Sequence, residues 1–195
     1  PISSLMAWMD LLESSGVDSS LLSDMNKDVN RLSVIAERFS KIGSKPEMEL
    51  IYVNEVLENA TEYMRRRVSD KVLITTHLPS DAEGAMVCLS LFEWVIENLC
   101  KNAVDAMNGE GRIDVYMTSE KQQIYIDIKD TGKGIARKNF KTVFNPGYTT
   151  KKRGWGLGLT LAKRIIEDYH AGRIYVKDSE VGKGTTFRIE LTRVV

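Results

Sequence analysis

The sequence has little cysteine and no excess of charge of either sign. Its 195 residues include two cysteines, Cys88 and Cys100, and 27 basic residues balance 27 acidic ones. The two cysteines lack metal-ligand spacing and are too few for a disulfide framework, which favours a reducing, cytoplasmic setting. The zero formal charge does not indicate a nucleic-acid-binding surface, so no nucleic-acid partner is expected.

Long apolar runs are also missing. No segment has enough consecutive apolar residues to span a bilayer, and no signal peptide is recognisable. We therefore expect membrane attachment, if the natural protein has it, only through segments outside this sequence. Hydrophobic residues still make up 43% of the chain, which argues against disorder. Its 195 residues are enough for one domain plus a small module, or for two small domains.

The first 44 residues differ in pattern from the rest. Apolar residues recur there every three or four positions along two segments. They are Ile2, Leu5, Met9 and Leu12 in the first, and Leu22, Met25, Val29, Leu32, Ala36 and Phe39 in the second. This spacing predicts a hairpin of two helices with heptad character. Because two such helices bury their stripes poorly alone, we expect residues 2–42 to form half of a dimeric four-helix bundle. Packing on the rest of the same chain is the alternative.

A hinge at 43–46, which contains Gly43 and Pro46, separates this hairpin (1–44) from a second domain (46–195). Alternating and helical patterns predict an α+β sandwich there, with a mixed sheet covered on one face by three helices. The predicted strands are 48–53, 71–78, 112–118, 122–129, 173–178 and 185–191. The predicted helices are 54–68 with Asn54 as its N-cap, 91–107 and 159–169. Residues 80–85 are predicted to be a loop.

Two asparagines one turn apart, Asn98 and Asn102, lie on one face of the predicted helix 91–107. Asp105 follows on the same face. Amide oxygens at this spacing can hold Mg²⁺, which takes few protein ligands and keeps most of its waters. The alternative is a polar helix face that only contacts solvent.

Two glycine-containing segments follow. In 130–134 (Asp-Thr-Gly-Lys-Gly) a carboxylate ends a strand, where it can accept a hydrogen bond from an adenine amino group while glycines let the backbone approach the base. In 154–158 (Gly-Trp-Gly-Leu-Gly) glycines open a helix, where free N–H groups and the helix dipole favour phosphate. An ordinary turn is the alternative for the first segment, and the second lacks the Lys-Ser/Thr pair of a P-loop.

Taken in order, these motifs resemble the ATP-binding domain shared by sensor histidine kinases, DNA gyrase, a class of heat-shock chaperones and the MutL repair proteins, known as the GHKL or Bergerat fold. Within that superfamily, 97–103 (Glu-Asn-Leu-Cys-Lys-Asn-Ala) and 144–151 (Phe-Asn-Pro-Gly-Tyr-Thr-Thr-Lys) resemble bacterial sensor histidine kinases with a nitrogen-regulation-type lid. Gyrase and the chaperones carry a water-activating Glu where this chain has Asn98. The resemblance therefore implies phosphoryl transfer to a protein side chain and little hydrolysis.

The resemblance also implies the ligands, ATP or ADP with Mg²⁺, and the roles of the site residues. Asn102 would hold Mg²⁺ with the assistance of Asn98, and Asp130 would recognise adenine with help from Thr185. The other expected ATP-binding residues are Asp105, Gly132, Gly134, Ile135, Tyr148, Thr149, Thr150, Lys151, Arg153, Gly154, Trp155, Gly156, Leu157, Gly158 and Leu159.

In such kinases the phosphate-accepting histidine lies a few residues before a proline on the first dimerisation helix. Residues 1–5 (Pro-Ile-Ser-Ser-Leu) resemble the sequence after it, so we expect the acceptor upstream of Pro1 and no autophosphorylation by this chain alone. The only histidines, His77 and His170, are predicted to be structural. The implied partners are a second copy, through residues 2–42, and the receiver domain of a response regulator. A serine protein kinase of the same superfamily and a nucleotide-gated dimeric scaffold remain alternatives.

Overall fold

The structure, a computed structural model, describes residues 2–14, 22, 25, 26, 29, 46–150 and 156–194. It divides into two compact units, Pro1–Pro46 and Glu47–Val195, which are described separately below. Within the described residues, no helix combines the length and the apolar character needed to cross a membrane.

In the first unit, helix α1 spans Ile2–Ser14. Met9 is buried, whereas Leu5 and Leu12 of the same predicted stripe are exposed. In the predicted second helix, the described residues Leu22 and Val29 are helical and buried. Met25 is helical and exposed, and the stripe positions 32, 36 and 39 lie outside the described residues. Part of the predicted heptad stripe is thus uncovered within a single chain.

The second unit is built on a five-stranded mixed sheet and a two-stranded sheet. The strands are β1 Glu49–Tyr52, β2 Val72–His77, β3 Gly84–Val87, β4 Gly111–Glu120, β5 Gln123–Asp130, β6 Arg173–Glu180 and β7 Gly184–Thr192. The larger sheet has the order β2-β4-β5-β7-β6, and the smaller one pairs β1 with β3. Strand β2 runs parallel to β4, while every other pairing is antiparallel. The predicted mixed sheet is confirmed.

Three helices pack on one face of this sheet: α2 Val53–Arg65, α3 Leu89–Ala106 and α4 Gly158–Arg164. The strand register aligns two buried apolar rows on that face, as period-two alternation requires. The rows are Val115, Ile128, Phe187 and Val176, and Met117, Ile126, Ile189 and Ile174. Helix α3 adds Phe92, Val95 and Leu99 to the core, so burial of these residues fixes the Asn-bearing helix against the sheet.

Two local predictions in this unit are wrong. Part of the predicted loop 80–85 belongs to β3, which pairs with β1 from Glu49↔Val87 to Tyr52↔Gly84. Asn54 is not an N-cap, because α2 begins at Val53 and Tyr52 occupies the cap position without a side-chain cap. The Asn54 side chain instead accepts a hydrogen bond from the backbone N–H of Glu83 at 3.5 Å. The chain enters α2 directly from β1, so this asparagine ties down the loop before β3.

Helix α4 also differs from its prediction as one regular helix over 159–169. It continues as a π-helical turn, Ile165–Tyr169, and the N–H of His170 bonds the Ile165 carbonyl at 3.3 Å. The buried His170 ring accounts for this ending. Its Nδ1 lies 2.9 Å from the same carbonyl, and its Nε2 accepts the Cys88 N–H at 2.9 Å. His170 thus links the start of α3 to the end of the α4 segment, as its predicted structural role requires.

Candidate functional site

The site begins on α3, where Asn98 faces the first turn of α4. A Cβ atom added to Gly158 would lie 2.5 Å from Oδ1 of Asn98, so only glycine leaves this amide in place. Nδ2 of Asn98 is buried and has no hydrogen-bond partner among the described residues. An unmet buried donor costs about 1–3 kcal/mol, so it marks a position where a ligand can supply the missing bond. Asn102 is partly exposed one turn along, and Asp105 is exposed.

Asp130 ends β5 and pairs in register with Thr185 on β7. It is buried, and its Oδ1 accepts the N–H of Gly132 at 2.8 Å. Burial raises the pKa of the Asp130 carboxyl, while hydrogen bonds from the backbone N–H groups of Gly132 and Thr185 oppose that rise. Asp130 and Thr185, two of the predicted site residues, therefore lie side by side at this strand end.

The turn after β5 is packed closely against the end of the Asn-bearing helix. A Cβ atom on Gly132 would lie 2.7 Å from the Ala106 carbonyl carbon, and the Lys133 N–H donates to the Ala106 carbonyl at 3.0 Å. Gly134 adopts a φ of 71°, and an added Cβ would collide with the Glu180 carbonyl. These two glycines are required because the backbone of the Asp130 turn touches both α3 and the β6–β7 hairpin.

The segment that follows is held to the domain by an aromatic contact. Its two short 3₁₀ turns are Arg137–Asn139 and Thr142–Phe144. Phe144 is buried edge-to-face on Phe187, with ring centroids 6.1 Å apart. Tyr148 is partly exposed, and Thr149 and Thr150 are exposed. Oγ1 of Thr150 accepts a hydrogen bond from Nζ of Lys133 at 2.8 Å, which joins this segment to the Asp130 turn.

Four predicted site residues fall in the interval 151–155, which the structure does not describe. Lys151, Arg153, Gly154 and Trp155 lie outside the described residues. The chain resumes at Gly156, whose carbonyl accepts the Gly147 N–H at 3.1 Å. Leu157, Gly158 and Leu159 then lead into α4. Gly147, in the segment before this interval, and Gly156, directly after it, are therefore hydrogen-bonded to each other.

One residue of the site was missed from the sequence. Oγ of Ser179 accepts the Ile135 N–H at 2.8 Å and lies 3.0 Å from Oγ1 of Thr185. Ser179 and Thr185 are Cα partners in the β6–β7 pairing. Nothing in the local sequence distinguishes Ser179 from a surface serine, and only the predicted pairing of the last two strands could have indicated that it lies beside Thr185. The Ser179 hydroxyl fixes the positions of Thr185 and Ile135 relative to each other.

Residues 89–194 match the family described as Histidine kinase-, DNA gyrase B-, and HSP90-like ATPase. Sporulation kinase E of Bacillus subtilis (strain 168) is 30% identical over 198 residues, covering 98% of this chain and 26% of that protein. Sensor histidine kinase ZraS of Escherichia coli (strain K12) is 40% identical over 97 residues, covering 50% and 20% respectively. The chain thus spans about a quarter or less of the length of these two relatives.

A solved structure, histidine kinase ThkA in complex with response regulator protein TrrA, covers 100% of this chain and 58% of its own chain with a TM-score of 0.71. At 18% identity this likeness concerns the fold. Together with the family match, it confirms the predicted GHKL architecture and the resemblance to histidine kinases.

Proposed function

Since the chain belongs to the histidine kinase-, DNA gyrase B- and HSP90-like ATPase family, we propose that it is the catalytic region of a two-component sensor histidine kinase. The observation that carries this proposal is the Asn98 amide, buried against Gly158 with Nδ2 unpartnered among the described residues. An amide can orient a phosphate or a metal-bound water. It cannot act as a general base on water, as a carboxylate at this position could.

ATP or ADP would bind between the α3 asparagines and the Asp130 turn. The Asp130 carboxylate would accept a hydrogen bond from the adenine amino group, and Thr185 would line the same end. Asn102, with Asn98, would hold Mg²⁺ by amide oxygens, which suit this cation. Bound Mg²⁺ would neutralise phosphate charge. Lys151 and the 154–158 segment would complete the phosphate end, with Asn98 positioned by Gly158.

We propose that the γ-phosphoryl group passes to a histidine and then to a response-regulator aspartate. This chain's contribution would be positioning and charge neutralisation, which supply most of the catalysis in phosphoryl transfer. Neither histidine present suits the acceptor role. His170 is buried with both ring nitrogens engaged, and His77 stacks on Tyr116 with ring centroids 4.4 Å apart. The acceptor is therefore proposed to lie outside this sequence.

We also propose that residues 1–44 form a dimerisation hairpin and that 46–195 form the ATP-binding domain. Trp8, Leu5 and Leu12 on α1 are exposed, which supports pairing with a second copy through residues 2–42.

A receiver domain is the proposed phosphoryl acceptor after histidine, supported by the complex that ThkA forms with a response regulator. Cys88 and Cys100 are free thiols, which supports a reducing, cytoplasmic setting.

Two measurements on the chain test these proposals. Calorimetric titration with ATP should show binding that strengthens when Mg²⁺ is present, and absence of ATP binding under both conditions contradicts the nucleotide site. Light scattering should show a dimer for the full chain and a monomer for a chain beginning at Pro46 that still binds ATP. If the truncated chain were still a dimer, residues 2–42 would not be the segment that holds the dimer together.

A further inference from the structure

The face of the five-stranded sheet opposite the helices, called here the outer face, carries a continuous row of polar and aromatic side chains. One residue from each strand contributes, and the register aligns them side by side. In spatial order they are His77, Tyr116, Asp127, Arg188 and Tyr175. None of them takes part in the proposed nucleotide site. The outer face therefore carries an arrangement that the proposed function leaves unexplained.

The centre of this row is held rigidly by charge. Nε and Nη2 of Arg188 donate to the two oxygens of Asp127 at 2.6 and 2.7 Å, and Nζ of Lys177 donates to Oδ2 at 2.7 Å. The Arg188 guanidinium also lies 4.9 Å from the centroid of the Tyr125 ring. A bidentate pair over an aromatic ring is preorganised, so a partner that contacts it loses little side-chain freedom.

The aromatic groups beside this centre have the composition of binding surfaces. His77 and Tyr116 are stacked with an interplanar angle of 9°, and the hydroxyl of Tyr175 donates to Glu190 at 2.7 Å. Tyr116 is exposed, and Tyr125 and Tyr175 are partly exposed. Tyrosine and arginine are the residue types that contribute most binding energy in protein interfaces. Tyrosines lie on three of the five strands of this face, at Tyr116, Tyr125 and Tyr175. The ion pairs and the His77–Tyr116 stacking do not by themselves require this number of tyrosines.

The charges of the outer face are layered. Three of the five acidic side chains lie underneath, with exposures of 7% for Asp114, 13% for Asp127 and 14% for Glu190. Their basic partners project outward, with exposures of 54% for Arg112, 41% for Lys177 and 73% for Arg173. Lys129 is exposed on the same face and makes no ion pair among the described residues. Glu120 and Asp178 are the exposed acids of this face. An approaching molecule therefore meets tyrosine rings and four exposed bases, against two exposed acids.

We propose that the outer face binds an acidic segment of a partner protein, with carboxylates meeting the outward cations and apolar side chains meeting the tyrosines. The exposed charges select this occupant, because four exposed bases outnumber two exposed acids. When the less exposed charges are included the face has no net charge, so its surface excess of cations suits a short acidic segment and not a polyanion such as nucleic acid. Its bases are Arg112, Lys129, Arg173, Lys177 and Arg188, and its acids are Asp114, Glu120, Asp127, Asp178 and Glu190.

The test is an NMR titration of the full, isotope-labelled chain with a synthetic peptide in which Glu alternates with Leu. Backbone amide shifts should change along β4, β5, β7 and β6 around Arg188, equally with and without ATP, so the result does not depend on the nucleotide site. A peptide with Lys in place of Glu should not bind. Replacing Lys129 by Glu and Lys177 by Met should weaken the Glu peptide about tenfold.

The matched control makes the same two kinds of change outside the outer face: Lys138→Glu reverses one charge and Lys163→Met removes one. It should leave peptide affinity unchanged. If the Lys177 change lowers the melting temperature, Lys129→Glu alone serves as the variant, since that side chain loses no ion pair. No binding of the Glu peptide, shifts confined to other surfaces, equal binding of the Lys peptide, or tighter binding of a single-stranded oligonucleotide would each overturn the proposal.

Discussion

Asn98 on α3 and Gly158 at the start of α4 are in direct contact, with room for no side chain between them. Nδ2 of Asn98 is at the same time buried and without a hydrogen-bond partner among the described residues. Helices α3 and α4, which flank the proposed phosphate-binding part of the site, are therefore in contact through the Asn98 side chain, whose Nδ2 can still donate a hydrogen bond to a ligand. Any atom added at position 158 must move that amide.

Gly158→Ala should separate binding from stability. Alanine favours a helix by up to about 1 kcal/mol over glycine, and the three atoms nearest to its methyl group all belong to the end of the Asn98 side chain. The fold should therefore keep its stability, while ATP affinity falls by about tenfold as the amide is displaced. Urea unfolding and calorimetry measure the two quantities. In an Asn98→Ala background the same change should cost no further affinity, and full additivity would refute the contact's role.

Asn102→Ala should weaken ATP much more than adenosine. The loss of one amide ligand affects the cation and the phosphates, so we expect a drop of about tenfold or more for ATP with Mg²⁺ and about twofold or less for adenosine. Calorimetry with both ligands measures this. Lys101→Ala, at the exposed neighbouring position, is the control and should change neither. Equal losses for ATP and adenosine would remove Asn102 from the metal role.

Asp130→Asn should reduce the preference for adenine over guanine nucleotides. A carboxylate accepts from the adenine amino group, and guanine presents an oxygen there that an amide N–H can meet. The ratio of ATP to GTP affinity should fall by about tenfold or more. Competition against a fluorescent nucleotide measures the ratio. Asp81→Asn, which changes an exposed carboxylate, should leave the ratio unchanged, and an unaltered ratio in Asp130→Asn would exclude the adenine assignment.

His170 should make the fold sensitive to acid. Burial lowers the pKa of His170 below 6.5, although its contacts with the backbone of Ile165 and Cys88 act in the other direction. Below about pH 6.5 the unfolded chain therefore binds more protons than the folded one. The free energy of unfolding should fall as the pH drops from about 7 to about 5, by up to about 1.4 kcal/mol per pH unit.

Urea unfolding at several pH values measures this dependence. His170→Gln should be less stable at neutral pH, because the bridge from Cys88 to Ile165 is altered. Its stability should also depend less on pH in the acidic range. The same pH dependence in both proteins would show that His170 titrates normally in the folded state.

The sequence predicts much of the sheet, since each long strand carries its own signal. Ile124, Ile126 and Ile128 alternate with polar residues, and this local period places β5 and the Asp130 at its end. The motif order likewise predicts the asparagines and the glycines as candidates, whereas their contacts, such as that of Asn98 with Gly158, join residues that are far apart in the sequence.

What the sequence could not predict depends on distant partners. Strand β3 contains Gly84 and Ala85, which have low strand propensity, and is held by β1 and by a bridge to Val194. Asn54 looks like a helix cap until the loop at Glu83 is folded beside it. Ser179 becomes part of the site only through its pairing with Thr185. Tertiary contacts decide these cases, and no local pattern records them.

The central claim is tested most directly by mixing this chain with a longer form that carries the acceptor histidine and is disabled by Asn102→Ala. In a mixed dimer with labelled ATP, the 195-residue chain should transfer label to the longer form. The longer form with its own Asn102 must first label itself, which establishes that the acceptor is competent.

The chemistry of the label then decides the outcome. We predict phosphohistidine, whose label is lost in acid and kept in alkali. A label stable in acid would indicate a serine kinase of the same superfamily. No label, despite measured ATP binding, mixed dimers and a self-labelling control that transfers between subunits, would contradict the kinase assignment and favour a nucleotide-gated scaffold.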